Sequence, residues 1–402
     1  MSKRYPGGVV SATAPVVVGP VDGEGGTAPG IWTLDQAEDY LAQGLWPKPP
    51  IQGPLWVWGQ NTSGQLGQNN VVYRSSPVQV GALTTWSKIA GGWYHTIATK
   101  TDGTLWTWGQ NNAGQLGQNN LVYRSSPVQV GALTTWLNIA GGAYHTVATK
   151  TDGTLWTWGK NTNGQLGQND VANRSSPTQV GALTTWLNIA AGVYHIIATK
   201  TDGTLWSWGY NAQGQLGLGD IVSRSSPVQV GSLSTWSKIA AGGYTTIATK
   251  TDGTLWTCGQ NTSGQLGQND VINRSSPVQV GALTTWSKIA GGTFHAIVTK
   301  TDGTLWTWGY NFYGQLGLGN AVNRSSPTQV GALTTWLSIA GGAYHNIATK
   351  TDGTLWTWGR NNYGQIGQND VVLRSSPTQV GALTTWSKVA GGFYQTIAIT
   401  SP

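Results

Sequence analysis

The side chains able to do chemistry recur at a fixed spacing. His95, His145, His195, His295 and His345 share one column of a 50-residue period, broken by Thr245 and Gln395. Asp102 heads a second column and Arg74 a third. Trp56, Trp58 and Trp86 head three more, and one cysteine, Cys258, stands in the Trp58 column. Such residues can serve acid–base catalysis, metal binding, nucleophilic attack or anion binding. Most of these fail on spacing. One histidine per period lacks the close ligand pairs of a zinc site, so hydrogen bonds to a neighbouring turn are the expectation. Asp102 precedes Gly103 in a turn pair, with no second carboxylate at a fixed offset, so general acid–base work has no support. Cys258 cannot form an internal disulfide and replaces a tryptophan, which points to packing. The glycine-rich stretches are turns, not phosphate cradles. The expectation is therefore no catalytic residue, no metal and no cofactor.

The elements that position these columns follow from the period. Trp56-Val57-Trp58-Gly59 recurs as Trp106-Thr107-Trp108-Gly109 and again at 156, 206, 256, 306 and 356. Residues 51–400 are thus seven repeats of equal length, each too small to bury its own apolar face. Within one period, Ser87–Gly91 reads as strand A and Tyr94–Lys100 as strand B. Thr101-Asp102-Gly103 makes a tight turn into strand C, Thr104–Trp108. A longer loop leads to strand D, Ser126–Val130, with Pro127 at its start on an outer edge. The repeats open at a C strand, Leu55–Trp58, and close at a B strand, Tyr394–Thr400. Both ends must then share one blade, which leaves no unpaired edge at the seam. The fold class is all-β: a seven-bladed β-propeller at 51–402, preceded by a docking segment at 1–50. That segment reads as an extended arm and then a short helix at 33–45, capped by Thr33 with Gln36 and ended by Gly44, Pro47, Pro49 and Pro50.

The residues Gly59-Gln60-Asn61-Thr62-Ser63-Gly64-Gln65-Leu66-Gly67, then Ser76-Pro77-Val78-Gln79-Val80, carry a composite motif. It continues with Ile89-Ala90-Gly91-Gly92-Trp93-Tyr94-His95-Thr96 and Asp102-Gly103-Thr104-Leu105-Trp106-Thr107-Trp108-Gly109. In all seven rows it resembles the regulator-of-chromosome-condensation repeat. The resemblance implies a seven-bladed propeller and, in most of the family, an interaction platform. The founding member exchanges guanine nucleotides on a small GTPase through an insertion in its propeller. Every row here has the same length and no insertion, so that activity is not carried over. The segment from Gly30-Ile31-Trp32-Thr33-Leu34 to Gly44-Leu45-Trp46-Pro47 is similar to short stretches of bacteriophage virion and tail proteins, including those of cyanobacterial phages.

Comparing the rows with one another separates scaffold from variation. Three columns hold 20 of the 23 tryptophans, which reads as inter-blade core, with sugar-stacking platforms as the alternative. Arg74, Arg124, Arg174, Arg224, Arg274, Arg324 and Arg374 read as holding the C–D loop through backbone carbonyls, with a basic anion-binding ring as the alternative. The variable columns lie in the C–D loop and the A–B turn, which emerge on one face of the disc. There Trp93, Tyr210, Tyr310, Phe312, Tyr313, Arg360, Tyr363 and Phe393 stand out as types enriched at binding hot spots.

Residues 1–50 carry a net charge of −2 and residues 51–402 a net of +9, which together give the whole chain's +7. The basic ring gives a weak bias toward acidic partners, nucleic acid among them. No segment is long and apolar enough to span a membrane.

The first functional reading is a phage particle protein, made in the host cytoplasm. Trp32, Leu34, Leu41 and Trp46 would dock residues 1–50 to another virion protein, and the variable face would meet a host-surface glycan or protein. The second reading is a cellular, cytoplasmic propeller adaptor for a protein or chromatin partner, and the third a repeat lectin. Deleting residues 1–50 is expected to leave the propeller folded, with an unchanged circular-dichroism melt. Loss of the cooperative transition would show that the segment belongs to the core.

Overall fold

The computed structural model describes residues 52–401. The strands begin with β1 (Leu55–Gly59), β2 (Arg74–Gln79), β3 (Trp86–Gly91), β4 (His95–Lys100), β5 (Leu105–Gly109) and β6 (Arg124–Gln129). The set recurs with every repeat through β7 to β26, and β27 (Trp386–Gly391) and β28 (Gln395–Thr400) complete it. Seven antiparallel four-stranded sheets result, each in the order A-B-C-D, as in β3-β4-β5-β6. The seam blade runs β2-β1-β28-β27. Its register pairs Leu55 with Ile399 and Gly59 with Gln395, so the first and last strands close the ring together.

Several strand ends shift by one or two residues from the sequence expectation, and two of these shifts have a clear physical reason. Strand D starts at Arg124, not Ser126, and Pro127 lies inside it. Arg124 pairs with Gly109 and Val128 with Thr107, with a register shift between. Pro127 thus sits in a bulge, where no ladder N–H is needed. Strand C runs one residue further, to Gly109. That glycine has φ of 109°, and a Cβ there would fall 2.4 Å from the Tyr94 carbonyl oxygen. Only glycine tolerates both constraints.

The core lies between blades. Ile97, Leu105 and Val130 of one blade bury against Trp136, Ala148 and Trp158 of the next. Trp136 meets Trp158 at 5.9 Å between ring centroids. The Trp158 indole Nε1 donates to the Gln115 carbonyl of the preceding blade's C–D loop at 2.9 Å, so the apolar contact is keyed by one directed bond. The Trp56 column differs. Trp156 is half-buried, its Nε1 donates to Thr154 Oγ1 at 2.8 Å, and Lys150 Nζ sits 3.6 Å above its ring. Thr154 in turn donates its hydroxyl to Asp152 Oδ1 at 2.6 Å, so the Asp102 column is turn chemistry.

The histidines form a second inter-blade layer. His95, His295 and His345 use Nε2 to reach Thr146, Asn346 and Thr396 on the next blade's B strand, at 3.1, 2.9 and 2.9 Å. Those partners already spend their own protons on the carbonyls of Gln115, Gln315 and Gln365, so each histidine is the Nε2–H donor. The partner is a strand residue, not the turn expected from sequence. The position that would partner His145 is Ile196, which offers no polar atom on its side chain. Gln395 does reach a turn, donating to the Gly92 carbonyl at 3.0 Å.

Burial depresses all five histidines, to about 3 for His95, His145 and His345 and about 4 for His195 and His295. Above pH ~6.5 neither folded nor unfolded histidine is charged, and stability is unaffected. Below it the unfolded chain binds protons that the folded chain refuses, so stability falls as pH drops from ~6.5 toward ~4, by up to ~1.4 kcal/mol per pH unit per histidine. Urea melts across this window are expected to show a steep slope. His145→Gln, which imitates Gln395, should flatten it by about one proton. A stability independent of pH between ~6.5 and ~4.5 would contradict this account.

Candidate binding face

The C–D loops are built on a constant frame. Asn111 Oδ1 accepts from the Leu116 N–H at 2.9 Å, while its Nδ2 donates to the carbonyls of Asn120 and Val122 at 2.8 and 3.2 Å. Gln115 Oε1 accepts from the Ala113 N–H at 2.9 Å. The corresponding Asn61 and Gln65 make the same bonds in the seam blade. With the backbone held from inside, the side chains at the loop's outer positions can vary without unfolding it.

Those side chains meet a ring that the sequence comparison overlooked. Tyr94, Tyr144, Tyr194, Tyr244, Phe294, Tyr344 and Tyr394 form a constant aromatic column at the entrance to each B strand. It sits beside the most variable A–B position, and its constancy passed for scaffold. Residues of the Gln60 column wedge between neighbours in this ring. Lys160 Nζ lies 5.4 and 5.3 Å from the rings of Tyr144 and Tyr194. Tyr210 lies between Tyr194 and Tyr244, and Tyr310 between Phe294 and Tyr344.

Arg360 takes the same place between Tyr344 and Tyr394 and gathers four rings. Its guanidinium carbon is 4.8 Å from Tyr313, 5.0 Å from Tyr394, 5.6 Å from Tyr344 and 6.0 Å from Tyr363. Its Nη1 donates to the Tyr394 hydroxyl at 3.0 Å. Desolvation, reinforced by the surrounding phenols, pushes Tyr344 up to about 12, so this phenol stays neutral beside the guanidinium at ordinary pH.

Seven of the eight predicted face residues fall into one continuous arc. Phe312, which is 64% exposed, meets Tyr310 and Tyr313. Tyr313 continues to Tyr344, and Tyr363 to Tyr394 and Tyr73. Phe393 packs on Tyr394 at 4.3 Å and on Trp93 at 4.4 Å, and Trp93 ends the arc against Tyr144. Tyr210 is not part of it and keeps only its two tyrosine neighbours. Trp93 and Phe393 also line the shallow well at the ring axis, whose walls are the turns between A and B strands of all seven blades.

Six of the seven arginines of the column bond backbone carbonyls of their own loops. Arg174, Arg224, Arg274 and Arg374 donate Nη1 to carbonyls two residues back and form ion pairs with Asp170, Asp220, Asp270 and Asp370 at 2.5–2.6 Å. Arg74 and Arg324 donate to the preceding carbonyl at 3.3 Å. Arg124 opens its D strand, paired with Gly109. Among the described residues no three His, Cys, Asp or Glu side chains converge on a common point. Trp32, Leu34, Leu41 and Trp46 lie outside the described residues.

Family models for the regulator of chromosome condensation repeat match throughout this frame. One matches seven times, at residues 52–99, 102–149, 152–199, 202–249, 252–299, 302–349 and 352–399. A second model of the repeat matches six times between 86 and 365. Among curated proteins no relative matches the sequence. Among solved structures, human WBSCR16 is 23% identical with a TM-score of 0.78, covering 87% of this chain and 99% of its own. Prp20p from Saccharomyces cerevisiae, described with its binding to Gsp1p and histones, is 21% identical with a TM-score of 0.80, covering 91% and 94%. The yeast RCC1 (Prp20) bound to Kap60 is 20% identical with a TM-score of 0.79, covering 100% and 95%. These likenesses show the fold.

Cys258 is fully buried, and burial pushes its thiol up to about 12. The native protein is expected to resist a thiol-disulfide reagent such as DTNB and to react stoichiometrically once unfolded in guanidinium. Rapid native labelling would place the thiol in a reactive site.

Proposed function

Because the chain belongs to the regulator of chromosome condensation repeat family, we propose that it is a non-enzymatic propeller adaptor that binds a protein partner through the A–B/C–D face. The observation that carries this is the arc from Phe312 to Trp93, one continuous aromatic surface folded around Arg360. Tyrosine, tryptophan and arginine dominate binding energy where they cluster at the centre of a face, and the fixed Asn111-type frames preorganise them. Prp20p, a structure of the same fold, is described with protein partners, which agrees with this reading.

A non-catalytic role is supported by how the ionisable groups are employed. The Asp102 column caps turns, Asp170, Asp220, Asp270 and Asp370 hold arginines, and the histidines sit neutral in the core. None is left as an acid–base pair in the arc. A repeat lectin is less supported, since the Trp58 column is buried and lysines cover six of the Trp56-column rings. The particle reading rests on residues 30–47 and draws no support from the propeller likenesses, which are to cellular proteins.

Affinity capture from the source cell with wild type and with Phe312→Ala/Tyr363→Ala/Phe393→Ala provides the test. The triple variant is expected to lose at least ~100-fold in affinity for its partner, about 2.7 kcal/mol across three hot-spot truncations, with the thermal melt little changed. Equal recovery would remove the arc from the interface.

A further inference from the structure

The ten carboxylate side chains of residues 51–402 fall in two columns, at Asp102 and at Asp170. The Asp102 column caps the B–C turns, on the face opposite the arc. On the arc's own face the carboxylates are therefore Asp170, Asp220, Asp270 and Asp370, each paired with the arginine four residues on. Three blades have asparagine at that position instead: Asn70, Asn120 and Asn320.

The exchange keeps the turn and removes the ion pair. Asp170 accepts the Ala172 N–H on Oδ1 at 3.0 Å and holds Arg174 with Oδ2. Asn120 accepts the Val122 N–H on Oδ1 at 2.9 Å, but its Nδ2 turns back to donate to the Gln118 carbonyl at 2.8 Å. Asn70 and Asn320 do the same. Among the described residues Arg74, Arg124 and Arg324 thus form no ion pair.

These three arginines do not fall at random around the ring. Arg324 shares a blade with Tyr310, Phe312 and Tyr313, Arg74 with Phe393 and Tyr394, and Arg124 with Trp93. The fourth arc blade supplies Arg360 and the paired Arg374–Asp370. Counting Arg74, Arg124, Arg324, Arg360 and Arg374 against Asp370, the four arc blades carry +4 on this face. The other three, with Lys160, Arg174, Arg224 and Arg274 against three aspartates, carry +1.

We propose that the arc takes an acidic polypeptide segment, and that the asparagines at 70, 120 and 320 direct it there by releasing their arginines. The inference rests on the reading of the arc as a protein-binding face. Apolar side chains stand beside the released charges: Val71, Val72, Leu121, Val122 and Val322 are all more than half exposed. Alternating cationic and apolar points suit a peptide with interspersed carboxylates and hydrophobic anchors. Nucleic acid is a poorer match. The arginines sit one to a loop, not in a continuous track, and neighbouring rings already occupy much of the stacking surface: Tyr344 stacks on Tyr394 at 22°, and Tyr313 is met by Phe312 at 89° and by Tyr344 at 73°.

Fluorescence anisotropy on the full chain tests this with a labelled peptide in which glutamate alternates with leucine and phenylalanine. The N70D/N120D/N320D variant recreates a loop found in four other blades, so its fold is expected to persist. It should bind the peptide about tenfold more weakly at low salt, and the glutamine version of the peptide should bind wild type about tenfold more weakly as well. Undiminished binding by the triple variant, alongside weakened binding by Phe312→Ala/Tyr363→Ala, would leave the arc standing and overturn the acidic preference. Undiminished binding by both variants would overturn the arc too. Tighter binding of a single-stranded oligothymidylate than of the peptide would also overturn the proposal.

Discussion

The whole structure depends on each blade being unable to bury its own faces. The four-stranded sheet that one repeat makes has two apolar sides, and each is closed only by the next blade. The indole of the Trp58 column makes that closure specific. Its ring fills the gap between sheets, and in Trp108, Trp158, Trp208, Trp308 and Trp358 its N–H is spent on the preceding blade's loop carbonyl, as in Trp108 to Gln65 at 2.9 Å. The loop is therefore fixed from behind by the next blade's core, as well as from within by its own asparagine. Gly67 and its equivalents follow from the same contact, since a Cβ at Gly67 would lie 2.8 Å from the Trp108 Nε1. At Cys258 the indole bond is replaced by a longer contact of 3.8 Å from sulfur to the Gln215 carbonyl.

That inward anchoring is what lets the outer face diversify. The Gln60 column changes from glutamine to lysine, tyrosine and arginine, yet Asn61 and the Gly64-to-Gly67 run barely change between rows. Variation reaches the surface without disturbing the ladder below. Because the aromatic ring at the B-strand entrances is constant, each substitution at the Gln60 column meets the same two neighbours. Seven equivalent sockets thus hold glutamine, lysine, tyrosine or arginine, and the cluster at Arg360 arises where the outer loop positions nearby, Tyr313 and Tyr363, are aromatic as well.

Most of this was legible in the sequence where a period or a hard steric rule governed. The repeat count, the strand order and the shared seam follow from spacing alone, and the aromatic arc from comparing rows. What escaped depended on three-dimensional partners. Pro127 marked an edge strand correctly but not the bulge that lets the strand begin earlier. His95, His295 and His345 do pair by hydrogen bonds, but with a strand partner in the next blade, a full repeat further along the chain, which gives no local signal. The Tyr94 column was missed because constancy reads as scaffold, and here the scaffold is half of the surface. The asparagine-for-aspartate exchange was visible in the letters, but its meaning needed the Oδ2–arginine geometry.

The seam has a consequence for the order of events during synthesis. Trp56 hydrogen-bonds Thr400, 344 residues away, and β1 has no sheet partner on its inner side until β28 exists. Six blades can assemble from contiguous chain as it emerges, each stacking on its predecessor. The pair β1 and β2 must wait as an unpaired ribbon until the last strand is made. Closing so long a loop costs entropy only logarithmically in its length, but it leaves a β edge exposed for the whole of elongation. At ~5–20 residues per second that interval is tens of seconds, during which the waiting ribbon presents an open strand edge to other chains.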